Sequence, residues 1–285
     1  MLRLCLAVSR PYFWLVTLWL YLLPTGRRSD LLGTGPFWLG AAYCTLPLNL
    51  MCYLMNDLAD VKVDARNARK GGGMLGAKEA IGRLQAAIPL AAALQLAFVL
   101  AFCALFGIVA WPWFAAVFAV NWLYNFGPHF SGNYAPLDLL CPLGYILVVP
   151  LSCWLNALPY PPTRSWAHAI FLVVRSQLWI QTFDIESDAA AGRRNTAVRL
   201  GLRGSQAALA GVLLCENIFV YACFSQFSLR SFSSASCAML AANVALPSDA
   251  RGTQLSPATI NATFGVLGLG GVGLMLTVWS EAAFV

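Results

Sequence analysis

Between Pro11 and Ser280 the chain is a succession of apolar runs, each near the ~20 residues a helix needs to cross a bilayer. The runs lie near 11–26, 35–56, 84–106, 109–127, 136–155, 165–183, 205–225, 232–247 and 258–280. Such a chain cannot close a water-facing surface. Hydrophobic residues make up 59% of it and charged residues 11%, against about 25% charged in an ordinary soluble domain. No stretch alternates with a period of two, which argues against a β-barrel. The pattern predicts an all-α, polytopic membrane protein of about nine transmembrane helices, with the lipid bilayer as its main solvent. Met1 to Arg10 is short, runs straight into the first span and shows no small-residue cleavage site, so no cleaved leader is expected.

The connections between spans differ in charge. Residues 57–83 and 184–204 are rich in charge, and 128–135 is polar but lacks Lys and Arg. With nine spans these three connections, the N-terminus and 248–257 share one face. That face carries 13 of the 18 basic residues, including Arg3, Arg10, Lys62, Arg83, Arg193, Arg199 and Arg251. The bias predicts that it is cytoplasmic, or the matrix or stromal equivalent. The net charge of +6 follows from this asymmetry, so no nucleic-acid partner is expected. Nine cysteines form no CxxC pair and two histidines stand apart, which leaves no basis for a zinc or redox site.

Six of the twelve acidic residues fall into two groups at span ends on that same face. The first is Asn56-Asp57-Leu58-Ala59-Asp60-Val61-Lys62-Val63-Asp64, the second Asp184-Ile185-Glu186-Ser187-Asp188. On a helix Asn56, Asp60 and Asp64 stack at i, i+4 and i+8 with Asp57 on their flank, and Asp184 and Asp188 share a face. Like charges at that spacing repel, and more so near lipid, so a cation must compensate. Mg²⁺ fits, because it takes hard oxygens and uses one or two carboxylates together with substrate phosphate oxygens. Two carboxylate groups suit two or three such ions bridging one diphosphate. Arg66, Arg69 and Lys70 follow the first group and Arg193 and Arg194 the second, placed to bind the phosphates. The two DxxxD groups lie four spans apart, which suggests one domain over 1–285 built of two pseudo-repeats, about 1–135 and 136–285.

At these motifs the chain resembles the UbiA superfamily of intramembrane prenyltransferases. The family pattern NDxxDxxxD is matched by NDLADVKVD, and DxxxD with its following G-x-K/R-[ST]-T-A-x-x-x-G by DIESDAAAGRRNTAVRLG. Gly192, Arg194, Thr196, Ala197 and Gly201 are in place, while Asn195 stands where Ser or Thr is common. Arg10-Pro11 also resembles the family's start. The resemblance covers essentially the whole chain. It implies a helical bundle around a central cavity open to lipid. It implies Asn56, Asp60, Asp64, Asp184 and Asp188 as holders of Mg²⁺ and diphosphate, supported by Asp57. Arg10, Arg66, Lys70 and Arg194 join them as substrate-binding residues. Many members carry a basic patch after the fourth helix. Here YNFGPHFSGNYAPLD offers only Tyr124, Asn125, His129 and Tyr134. Lys70-Gly71-Gly72-Gly73 stands where many members have Arg-Pro.

The expected function is Mg-dependent transfer of a prenyl group from an isoprenoid diphosphate to a hydrophobic, most commonly aromatic, acceptor; a tetrapyrrole or carotenoid also fits. Leaving-group charge is stabilised electrostatically and water is kept from the cation. Arg175, charged inside a span, is a second-tier functional candidate whose structural alternatives are snorkelling or pairing with Glu216. Trp122, Tyr124, Trp179 and Phe183 are candidates to line the prenyl path. Two rivals remain: a terpene cyclase using the same diphosphate site without an acceptor, and a carboxylate-based transporter. The transporter predicts acids deep within spans, whereas these sit at span ends.

Overall fold

A computed structural model describes residues 1–65, 77–108, 110–127, 132–245 and 257–285, with side chains left undescribed at 239–245, 257–264 and 266–269. The elements are α1 (Leu2–Val8), α2 (Pro11–Leu22), α3 (Gly35–Tyr43), α4 (Leu46–Asp64), α5 (Ile81–Gln85), α6 (Ile88–Phe106) and α7 (Ala110–Phe126). They continue with α8 (Leu137–Leu140), α9 (Val148–Leu155), α10 (Thr163–Ala190), α11 (Thr196–Cys223), α12 (Phe227–Ala245) and α13 (Pro257–Ser280). Where it is described, each of the apolar runs read from the sequence falls mostly on helix. Among the described residues, four stretches are long and apolar enough to cross a membrane, or five if the bent pair α1–α2 counts as one.

The solvent these helices need is visible on their outer faces. Only 11% of the apolar stretch within Ile81–Phe106 is buried, and Leu96, Leu100 and Leu105 point outward, more than half exposed. Large apolar side chains left facing water along a whole helix would drive aggregation; facing lipid they cost nothing. The protein is an integral membrane protein.

Breaks in the helices have local causes, and between α3 and α4 a polar side chain satisfies the freed carbonyls, as an apolar environment requires. Pro11 opens α2, where its missing N–H costs no hydrogen bond. Arg10 before it adopts φ 51°, an uncommon conformation for a residue with a side chain, and α1 meets α2 at 63°. Between α3 and α4 the chain turns at Thr45, and Asn49 Nδ2 donates to the carbonyls of Cys44 (3.1 Å) and Thr45 (2.8 Å). Gln95 of α6 donates to the Pro47 carbonyl at 2.6 Å and accepts from Tyr43. Between α8 and α9 the chain tightens to a 3₁₀ turn over Cys141–Leu147. There Gly144 meets Val120 so closely that a Cβ would lie 2.5 Å from Val120 Cγ1, bringing the turn against α7. In α11, Gly201 sits at φ 66° inside the helix, a conformation open to glycine without steric cost.

α10 and α11 form the most extensive helix pair. Leu178 and Trp179 of α10 pack on Leu209 and Leu213 of α11. Between the same helices, Arg175 Nε lies 2.7 Å from Glu216 Oε2. Arg175 thus takes the pairing alternative: its charge is met within the bundle, away from the central cavity.

Candidate active site

The ends of α4 and α10 meet at the mouth of one cavity, of about 1470 Å³ counted out to its opening. Asn56, Asp60 and Asp64 enter it from α4, and Asp184 and Asp188 from α10. The helical stacking expected from i, i+4, i+8 spacing is what lets one face of α4 present all three groups. Deeper in, the cavity is apolar and aromatic, lined by residues such as Tyr53, Trp113, Val117, Tyr145, Val148 and Val173.

A hydrogen-bonded chain crosses the mouth. The kink at Arg10 aims its guanidinium at α4, where Nη2 donates to Asn56 Oδ1 (2.8 Å) and Asp57 Oδ1 (2.6 Å). Asn56 Nδ2 in turn faces Asp60 Oδ2 (3.1 Å) and Asn125 Oδ1 (3.2 Å). Asp60 accepts from Arg193 Nη2, and the other arm of that guanidinium donates to Asp188 Oδ1 at 3.1 Å. Asn195 Nδ2 completes the chain on Asp188 Oδ2 at 2.6 Å. Asn195 Oδ1 also accepts from Val198 N–H and so caps α11. An amide can cap with its oxygen while donating from its nitrogen, which gives a physical reason for Asn at this position.

Not all expected residues reach the cavity. Asp57 is buried behind α4, 1% exposed, as the partner of Arg10, which itself lines the mouth. Arg194 is exposed. Its backbone pairs with the segment after α7, N–H to Asn133 O at 2.9 Å and C=O from Ala135 N–H at 3.1 Å, while its neighbour Arg193 turns inward. Arg66, Arg69, Lys70, Gly71-Gly72-Gly73 and His129 lie outside the described residues. Among the aromatic candidates, Tyr124 lines the cavity and accepts from Gln177 Nε2 at 3.2 Å. Trp122 faces outward at 51% exposure, and Trp179 and Phe183 pack at the α10–α11 contact.

Sequence reading missed Asp138. It is fully buried and accepts from Gln181 Nε2, Thr196 N–H and Thr196 Oγ1, each at 2.8 Å. It therefore ties the segment after α7 to both α10 and the start of α11. The available signal was a lone carboxylate beside Pro136 in an apolar run.

The donor set suits a hard divalent ion. Four carboxylates, those of Asp60, Asp64, Asp184 and Asp188, line the mouth. Among the described residues no group of three or more His, Cys, Asp or Glu side chains is placed to hold a metal ion by itself. A Mg²⁺ ion at this mouth would therefore take part of its coordination from phosphate oxygens, as Mg²⁺ commonly does. Among the described residues, the lining guanidiniums are Arg10 and Arg193, and Arg10 is already engaged by Asp57. Among the described residues the four carboxylates thus outnumber the guanidiniums, and a bound cation would lower their repulsion of an anionic diphosphate.

Asp188 lies in the last turn of α10, past its apolar stretch. Burial pushes its carboxyl up to about 6, against the opposing pull of Arg193. A raised carboxylate holds its proton to higher pH, so proton and metal compete below that value. Divalent-ion affinity is expected to be flat above neutral pH and to weaken about tenfold per pH unit below about 6, one proton being displaced per ion. Mn²⁺ binding to the detergent-solubilised protein at about pH 5, 6 and 7.5 measures it. An affinity constant across that range would remove Asp188 from the ion's ligands.

Comparison with known proteins places the chain in a family. Residues 13–264 match the UbiA prenyltransferase family. The chain is 29% identical to a lycopene elongase/hydratase of Halobacterium salinarum over 223 residues, 77% of this chain and 79% of that protein. It is 31% identical to one of Haloferax volcanii over 204 residues, 69% of this chain and 64% of that protein. A UbiA homologue of Archaeoglobus fulgidus, solved bound to GPP and Mg²⁺, shares the fold with a TM-score of 0.66 at 20% identity, over 97% of this chain and 99% of that one. With the match extending over most of its length and both acidic groups set at one cavity mouth, the chain belongs to the UbiA prenyltransferase family and is a prenyltransferase.

Proposed function

We propose that the chain transfers a prenyl group from an isoprenoid diphosphate, in a Mg²⁺-dependent reaction, to a hydrophobic polyene acceptor. The observation that carries this reading is the meeting of two carboxylate groups, one from α4 and one from α10, at the mouth of a single apolar cavity. The polyene is favoured by the curated relatives, which are lycopene elongase/hydratases. It is favoured also by chemistry: residues 127–140 contain no Lys or Arg, so a carboxylated aromatic acceptor finds no counter-charge there. The two-repeat organisation and a cytoplasmic or equivalent placement of the mouth belong to the same proposal.

Asp60, Asp64, Asp184 and Asp188 would hold Mg²⁺, with Asn56 positioned beside them. When bound, the metal supplies positive charge to the diphosphate as the allylic C–O bond breaks. Arg193 and Arg10 add fixed guanidinium charge at the same mouth. Tyr53 and Tyr145, which share a hydrogen bond, and Trp113 wall the apolar part, where their π faces stabilise an allylic cation and exclude water. The acceptor's terminal double bond attacks that cation. The resulting cation then loses a proton to the released diphosphate or to a carboxylate at the mouth, or is captured by a water admitted after the transfer, which gives up its proton to the same bases.

The test is the purified protein with Mg²⁺, the series from dimethylallyl to geranylgeranyl diphosphate, and an acceptor panel of linear polyenes and phenols. The expected result is diphosphate release coupled to a polyene product heavier by one prenyl unit. Prenylated phenol alone would overturn the acceptor assignment. A cyclic hydrocarbon formed without any acceptor would replace transfer by cyclisation.

A further inference from the structure

Arg193 has an unusual place for a phosphate-binding residue: it grips both metal-binding halves of the mouth at once. Its two terminal nitrogens reach Asp60 of α4 and Asp188 of α10. All three side chains are largely buried, at 18%, 14% and 5% exposure. A planar fork is suited to such two-sided contact, whereas a point charge is not. The backbone behind it is fixed. Gly192 turns the chain at φ 78°, Arg193 N–H donates to Asp188 O at 2.9 Å, and Arg194 is paired on both sides with 133–135. Among the described residues the side chain is held by the two carboxylates alone, so a change of partner there needs no change in this backbone.

The oxygens that Arg193 holds are among those a divalent ion would need. An ion arriving alone must displace the guanidinium and leave it buried without a partner, which is unfavourable. An ion arriving with diphosphate brings phosphate oxygens, to which a guanidinium binds in the same forked manner. We propose that Arg193 is a positioning residue that makes divalent-ion binding at Asp60 and Asp188 conditional on diphosphate, by exchanging the two carboxylates for the phosphate. This rests on the diphosphate reading above. It couples two ligands reciprocally and disfavours loading of the mouth by ions alone.

The experiment is Mn²⁺ binding, followed by electron paramagnetic resonance, with and without inorganic pyrophosphate, in the natural protein and in Arg193→Gln. In the natural protein pyrophosphate is expected to tighten Mn²⁺ binding at least tenfold. In Arg193→Gln, Mn²⁺ alone is expected to bind about tenfold tighter than in the natural protein, and the tightening by pyrophosphate to shrink correspondingly. A purely structural role would not give a gain of ion affinity. Arg193→Lys, which keeps charge but cannot span both carboxylates, is expected to show the same gain at about threefold, and it serves if the glutamine variant does not fold. Unchanged or weaker Mn²⁺ binding in both variants, with pyrophosphate-dependent binding intact in the natural protein, would overturn the role of Arg193. No Mn²⁺ binding by the natural protein under either condition would overturn the diphosphate reading itself, and this role with it.

Discussion

Replacing Asp60 by asparagine is expected to lower turnover by about a hundred- to a thousandfold. The substitution keeps the shape of the side chain and an oxygen for Asn56 Nδ2, which faces it at 3.1 Å. What it removes is one negative charge at the point where the α4 group faces α10 across Arg193. If Asp60 ligates the ion that neutralises the leaving diphosphate, the loss falls on the transition state, where charge on that group is greatest. Asp184→Asn is expected to act alike from the other side of the mouth. Asp57→Asn is the informative contrast, because Asp57 lies behind α4 and holds Arg10 at 2.6 Å. Its effect should run through the placement of Arg10 and be milder on kcat than that of Asp60. Steady-state diphosphate release at several Mg²⁺ concentrations measures all three. Turnover within about threefold of the natural protein in both Asp60→Asn and Asp184→Asn would sink the assignment of the two acidic groups.

The second large effect is one of stability. Glu216→Leu is expected to destabilise the bundle by about 3–5 kcal/mol, because it strands the Arg175 charge between α10 and α11. Both side chains are buried, at 10% and 3% exposure, with 2.7 Å between Nε and Oε2. His168 lies near the same carboxylate, with Nδ1 3.8 Å away, and does not replace Arg175. Arg175→Met should cost a similar amount for the converse reason. The double substitution Arg175→Met/Glu216→Leu should recover most of the loss, since a buried pair replaced by apolar groups of like volume is often neutral. Thermal unfolding in one detergent, arranged as a double-mutant cycle, separates the pair from its parts. Additive losses would mean that the two charges do not depend on each other. Because Arg175 does not line the cavity, the double variant should retain prenyl-diphosphate turnover, which distinguishes a packing role from a catalytic one.

How much of this was legible beforehand depends on the range of the interaction involved. The helical stretches and the acidic faces of α4 and α10 follow from local order. Apolar length sets a crossing, and a 3.6-residue period brings Asn56, Asp60 and Asp64 to one side whatever packs against them. The pairing of Arg175 with Glu216 was visible as an option, because charges inside apolar runs have few partners to choose from.

The sequence alone therefore determined that the chain is a helical membrane protein, and that two groups of carboxylates stand at helix ends. Charge scarcity and helical periodicity act on each segment separately and need no knowledge of its neighbours. The tertiary structure alone decided that Arg193 faces the carboxylates while Arg194 faces out. It alone decided that Asp138 clamps the start of α11, and that Tyr53, Trp113 and Tyr145 rather than Trp122 or Trp179 wall the cavity. Adjacent side chains point in different directions, and which one turns inward is set by the turn at Gly192 and the pairing of the Arg194 backbone with residues 133–135. Those contacts join segments far apart in the chain, and no local pattern encodes them.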